Sequence, residues 1–422
     1  MPALKAQYFF SFAILGCLLP YIPVYLHEQA LGEAQLGYVV SMSGVAIMFS
    51  PVVMALLADA HLQSRTLLAW MFGLSALALV GVWWASGFWP LLAAYGLFWL
   101  AFIGTPAVQD GLNFRVQARR EADGQPRVAY HRIRVWGTVG FMVPSLAIYG
   151  LLTWGGASVG VILPVALVLG LAGLANAALL PRVANGAAPP LSAAKSGGAA
   201  GEEEADEGAE LDAPPAPPAA GLPTLAAARA MLEPSMLVFL VAVWLCMLAK
   251  AAYYAFFPLY LTRQLGVPMQ WVGLILSVGV LIEIFFMLGF GRLLRLLGLR
   301  GLMAVGAACD ALRLALLFAY PNIYVAVGTQ VFHGMSVLVV HVAPQIYLNH
   351  RAGERYRSSM QGLYCVAVLG SGQILGAALG GLVAQGTSLV TVFGLGAALG
   401  VAAAALFAIA FRDRPAMAEM AA

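Results

Sequence analysis

Stretches of about twenty apolar residues recur along this chain, each long enough at about 1.5 Å per residue to cross a hydrocarbon layer about 30 Å thick. A backbone at that depth meets no water, so each stretch must satisfy its own donors and acceptors by coiling into a helix. Twelve such helices are predicted, over residues 7–26, 36–58, 66–86, 90–112, 135–154, 158–180, 235–261, 271–294, 301–319, 323–348, 359–384 and 389–411. Composition agrees: with 62% hydrophobic and 10% charged residues, a chain of 422 has too little polar surface to cover a water-soluble globule of its size. The first stretch runs on past Cys17 with only Lys5 before it, which reads as a spanning helix and not as a cleaved leader. The expected fold class is all-α integral membrane.

Charge placement orients these helices. Of the 22 Lys and Arg residues, all but Lys250, Arg263 and Arg313 fall beside the N-terminus, the even-numbered connections or the C-terminus. Basic residues gather on the cytoplasmic side, so both termini are expected there, in a multi-pass protein of the inner membrane. The net charge of +3 then reports topology, and no nucleic-acid partner is implied. Cys17, Cys246, Cys309 and Cys365 all lie in apolar spans without ligand-like spacing, and they read as small apolar fillers. No metal or other cofactor is expected.

One stretch interrupts the series. Residues 182–234 carry an acidic block, Glu202-Glu-Glu-Ala-Asp206-Glu207, and then Pro214-Pro-Ala-Pro-Pro218, with almost nothing to bury. They read as a disordered cytoplasmic linker between an N-terminal half, residues 1–181, and a C-terminal half, residues 235–412, followed by a tail, residues 413–422. The halves repeat each other. Pro23-Val-Tyr25-Leu26 corresponds to Pro258-Leu-Tyr260-Leu261, Leu31-Gly32 to Leu265-Gly266, and Gly37-x-x-x-Ser41 to Gly273-x-x-x-Ser277. The pattern predicts two pseudo-symmetric six-helix bundles with a solute site near mid-membrane where they meet.

Several segments resemble the major facilitator superfamily. Tyr130-His-Arg-Ile-Arg134-Val-Trp136-Gly137-Thr-Val-Gly140-Phe141 resembles the fifth-helix motif of the lactose permeases and phenylpropionate permeases. Glu283, Arg313, and Gln330-x-x-His333-Gly334 with His341 resemble the phenylpropionate-permease pattern. The superfamily signature between the second and third helices survives only as Asp59 and Arg65. Lactose permease also has a carboxylate one turn beyond its tenth-helix histidine, where this chain has Ser336, so the resemblance moves the proton-carrying role toward Glu283 and Asp310.

An ionisable side chain at mid-membrane costs at least about 2.5 kcal/mol, so each needs a partner or a purpose. Asp110, Arg134, Lys250, Glu283, Asp310, Arg313, His333 and His341 are so placed by sequence. Glu283, Asp310, Arg313 and His333 are the candidates for proton coupling, because a carboxyl in a partly dry pocket changes charge as it loads. Asp310 and Arg313 are spaced for an ion pair on one helix face. Arg134, Phe141, Lys250, Tyr254, His341 and Asp110 are the candidates for holding solute. For each a structural reading stands beside the functional one: Arg134 as an interfacial anchor, Lys250 paired with Glu283 or Asp310, Asp110 paired with Arg134, the histidines as satisfied hydrogen-bond partners, and Phe141 and Tyr254 as packing. The resemblance adds an aromatic at the place of Phe141 that stacks on the lactose-permease substrate.

These readings point to a secondary transporter taking up a small organic solute with protons, preferably an aromatic monocarboxylate, with a neutral sugar or nucleoside as the alternative. Its partners are the solute, the proton and the bilayer, and it is expected to act as a monomer. No H-E-x-x-H metal motif suggests an enzyme, and no nucleotide-binding loop suggests an ATP-driven pump. A chain lacking residues 193–219 is expected to keep full uptake, since the linker has no chemistry to lose. Loss of uptake in a correctly inserted deletion would contradict the tether reading.

Overall fold

The computed structural model describes residues 1–59, 63–126, 128, 130–182, 223–352 and 357–412, all of whose regular elements are helical. In the N-terminal half these are α1 (Pro2–Leu18), α2 (Ile22–Glu28), α3 (Glu33–Asp59), α4 (Ser64–Trp84), α5 (Phe88–Phe102), α6 (Thr105–Ala122), α7 (Tyr130–Thr153) and α8 (Ile162–Ala177). A short helix α9 (Pro223–Met231) precedes the C-terminal half, which comprises α10 (Pro234–Leu259), α11 (Val272–Ala319), α12 (Ile323–Gly328), α13 (His333–Val337), α14 (Ala343–Ala352), α15 (Arg357–Tyr364), α16 (Ser371–Gly386) and α17 (Leu389–Ala405). Most of the expected linker, residues 183–222, the expected tail, residues 413–422, and the Asp59 side chain lie outside the described residues.

Among the described residues nine helices are long and apolar enough to cross a membrane, or ten if the bent pair α1 and α2 is one span. Two features separate this count from the expected twelve. The stretch Met269–Ala319 is 51 residues long and breaks at Gly298, whose φ of 64° only a residue without a Cβ adopts freely. Helix α3 is 27 residues long, but the apolar part with described side chains, Glu33–Phe49, is short. The expected linker also needs its boundary corrected. Its last part is α9, where Thr224-Leu-Ala-Ala-Ala-Arg-Ala-Met231 strings together good helix formers and buries Ala227 and Met231 against α15 and the start of α10.

Large apolar side chains cover the outside, as a lipid solvent requires. Among the exposed aromatics Phe285, 73% accessible, faces outward within a span, and Trp84, Trp89, Trp154 and Tyr324 are between 73% and 86% accessible. These four lie at odd-numbered connections, opposite the basic loops, where an amphipathic ring belongs at a membrane interface. Inside each half, small residues bring backbones together. Gly16 of α1 lies against the Phe141 carbonyl of α7, and Gly140 of α7 lies against the Phe9 carbonyl of α1, so neither has room for a methyl group.

The halves meet along the same kind of contact. Gly37 and Gly44 of α3 face Gly381 of α16 and Gly370 just before it. The opposite face of α16 places Gly376 on the Leu248 carbonyl of α10. On the side of the odd-numbered connections polar groups add a clasp: Arg263 pairs with Glu33 at 3.2 Å, and the Gln385 side-chain oxygen accepts from the Ala34 amide at 3.3 Å. The rings of Tyr149 and Trp271 close the gap between the two halves at 5.1 Å.

The substitution Gly140→Ala is expected to destabilise the N-terminal half by about 1–3 kcal/mol, the usual range for overpacking. Thermal unfolding in detergent measures this; an unchanged midpoint would mean that α1 and α7 have more freedom than their contact allows.

Candidate functional site

A cavity of about 430 Å3 opens between the halves. That volume falls within the range of small-molecule sites. The N-terminal half contributes Phe12 from α1, Trp99 from α5, and Arg134, Thr138 and Phe141 from α7. Arg134 owes its position to Gly137 one turn later: the missing side chain leaves space for the guanidinium, which sits over the Phe12 ring at 4.0 Å.

From the C-terminal half come Lys250, Tyr254, Glu283, His333, His341 and Gln373. Glu283 approaches His333 at 3.6 Å, and the Tyr254 hydroxyl stands 3.3 Å from each ring nitrogen of that histidine. A wider, π-type turn over Leu338–Val342 carries His341. Winding fewer degrees per residue than an α-helix, this turn swings His341 back toward the face of His333, so both line the cavity.

Behind this wall lies a tight void lined by Lys250, Tyr253, Tyr254, Asp310, Arg313 and Ser336. Arg313 donates to the Tyr253 hydroxyl at 2.5 Å and to the Gln330 side-chain oxygen at 2.9 Å, with its guanidinium over the Tyr253 ring at 4.0 Å. Gln330 closes the triangle by donating to the same hydroxyl at 3.2 Å. The expected Asp310–Arg313 ion pair is absent, for no nitrogen and oxygen of the two come within 4.0 Å. One-turn spacing permits such a pair, but the guanidinium is drawn to partners on neighbouring helices instead. Among the described residues Lys250 likewise has no carboxylate oxygen within that distance, so its expected pairing with Glu283 or Asp310 is not formed as a contact pair.

Asp110 needs a second correction. It does not line the cavity; its carboxylate accepts hydrogen bonds from the hydroxyls of Tyr8 and Tyr130, the latter at 3.0 Å, and it makes no contact ion pair with Arg134. A separate buried polar cluster of the same half has Asn176 donating to the Gln7 side chain at 2.6 Å and Gln109 donating to Ser11. Arg134, Phe141, Lys250, Tyr254, Glu283, His333 and His341 share the cavity, while Asp310 and Arg313 stand one layer back. A search for charged groups passed over Gln373, Thr138 and Trp99, and the uncharged amide in an apolar helix was the available signal for Gln373. Among the described residues no group of three or more His, Cys, Asp or Glu is placed to hold a metal.

The MFS_1 like family matches residues 1–395. The chain belongs to that family. Its relatives include the "Putative nucleoside transporter YegT" of Escherichia coli (strain K12), 25% identical over 90% of this chain and 84% of that one. The "Uncharacterized transporter YwbF" of Bacillus subtilis (strain 168) is 22% identical over 95% and 90%. Among solved structures, the nucleoside transporter NupG superposes with a TM-score of 0.78 at 19% identity, covering 97% of this chain and 98% of its own, which shows a common fold. The protein is thus a multi-pass transporter of the major facilitator type and not an enzyme. The finer resemblance to phenylpropionate and lactose permeases is not what these relatives carry.

Replacing Gln330 with Met is expected to cost about 1–3 kcal/mol of stability by leaving buried donors on Arg313 unsatisfied. The same unfolding measurement checks it, and a loss below about 0.5 kcal/mol, as at an ordinary surface position, would show that the triangle is dispensable.

Proposed function

We propose that this transporter takes up a nucleoside together with protons across the inner membrane, with both termini in the cytoplasm. The observation that carries the reading is the composition of the cavity between the halves: aromatic faces from both halves, with a carboxylate, two cations, two imidazoles and an amide. A nucleoside is a flat ring joined to a hydroxyl-rich sugar, and the ring suits the faces as the hydroxyls suit the polar groups. The names of the relatives support the same solute class. The working unit is taken as one chain, since the two halves of a single chain complete the cavity.

Glu283 supports the coupling role. It lines the cavity, is 30% exposed on its side chain, and has His333 within 3.6 Å. A carboxylate that water and solute both reach, beside a group that trades protons, is suited to loading and unloading as the cavity changes sides. Asp310, Arg313 and His333 complete the proposed coupling set. Arg134, Phe141, Lys250, Tyr254 and His341 are the proposed solute contacts, and Asp110 drops from that set to become a scaffold residue.

An aromatic monocarboxylate remains the second reading, favoured by Lys250 and Arg134 facing the cavity without contact carboxylates. Energised vesicles with internal pH recorded during addition of nucleosides or aryl-alkanoates separate the two: acidification driven by nucleosides alone supports the first reading, and a response to carboxylates alone overturns it. Glu283→Gln is expected to abolish uphill accumulation while exchange of labelled solute persists. Accumulation at the wild-type level in that variant would remove Glu283 from coupling.

A further inference from the structure

Lys250 and Arg134 reach the cavity from opposite halves, and neither has a contact carboxylate among the described residues. Arg134 is seated on Phe12, and Asp110 is held by two tyrosine hydroxyls. Glu283, the cavity's carboxylate among the described residues, is turned toward His333. Two kinds of charged group thus line the cavity, the cations Lys250 and Arg134, which only donate hydrogen bonds, and the carboxylate of Glu283, which only accepts them, with no contact pair between them.

A nucleoside with a carbonyl-bearing base is divided in the same way. Its sugar hydroxyls donate and suit Glu283, while its carbonyl oxygens accept and suit an ammonium. The Lys250 nitrogen lies over the Tyr254 ring, 5.9 Å from its centre. A base held beside that ring brings its edge to Lys250. A carbonyl at that edge satisfies the ammonium. An exocyclic amino group there sets donor against donor and leaves the ammonium without the acceptor that a carbonyl supplies.

Given the nucleoside reading on which this rests, we propose that the site selects nucleosides with oxo-substituted bases over their amino-substituted counterparts, and that Lys250 makes the distinction. Inosine against adenosine, and uridine against cytidine, exchange an oxo group and its neighbouring ring N–H for an amino group and a bare ring nitrogen while keeping ring size and sugar. Each competes, unlabelled, against uptake of labelled inosine into proteoliposomes containing the full-length protein. The oxo member of each pair is expected to compete at least about ten-fold better, since a site built to hydrogen-bond one group rejects its mismatch strongly. Lys250→Gln, whose amide both donates and accepts, is expected to bring each pair within about two-fold. Equal or inverted preference in the wild type overturns the proposal and needs no variant. Preference surviving in a correctly inserted Lys250→Gln assigns the distinction elsewhere and overturns it as well. If nucleosides are accumulated without discrimination, only this inference fails; if none enters while an aryl-alkanoate does, the nucleoside reading fails and takes the inference with it.

Discussion

Hydrocarbon cannot solvate a polar group, and that single fact organises the molecule from backbone to site. It coils each span into a helix, because every amide inside must find a carbonyl in its own segment. It then acts on side chains. In the N-terminal half Gln7, Ser11, Gln109 and Asn176 bond to one another or to backbone, tying α1 to α6 and α8. In the C-terminal half Arg313, Gln330 and Tyr253 do the same between α10, α11 and the turn before α13. Polar groups tied in this way become scaffold. Those left without a close protein partner, Lys250 above all, are found where solute and water reach them.

The spans were legible because hydropathy over about twenty residues is a strong signal, and their ends agree closely: α10 starts at Pro234 where a helix from 235 was expected. The break at Gly298 was legible as a connection between two spans. Charges in the membrane were equally conspicuous, so Arg134, Lys250, Glu283, His333 and His341 could be named before their convergence was seen. Which partner each would choose was not legible. Asp310 and Arg313 are neighbours in sequence, but Tyr253 and Gln330 reach Arg313 from elsewhere in the fold. The same holds for Asp110, whose partners Tyr8 and Tyr130 come from two other helices.

Solute identity was the least legible property. Charge counting favours an anion when two cations without a contact carboxylate among the described residues face a cavity, whereas YegT and NupG are named for nucleosides. The two are less opposed than they look, for a carbonyl-rich base offers much of the accepting power of a carboxylate without its charge. Uncharged residues such as Thr138 and Trp99 would sharpen the choice, but they carry no mark in sequence that separates them from residues used in packing.

The glycine contact between α3 and α16 has a mechanical meaning. Helices usually interlock, ridge into groove, and one must climb over the other's side chains to change angle. Where Gly37 and Gly44 meet Gly381 and Gly370, the backbones come together and the glycine notches take the side chains of Ile374 and Met48 from the facing helix. Two bundles joined there are keyed by those two side chains, while the exposed Glu33–Arg263 pair, easily exchanged for water, adds only a light catch.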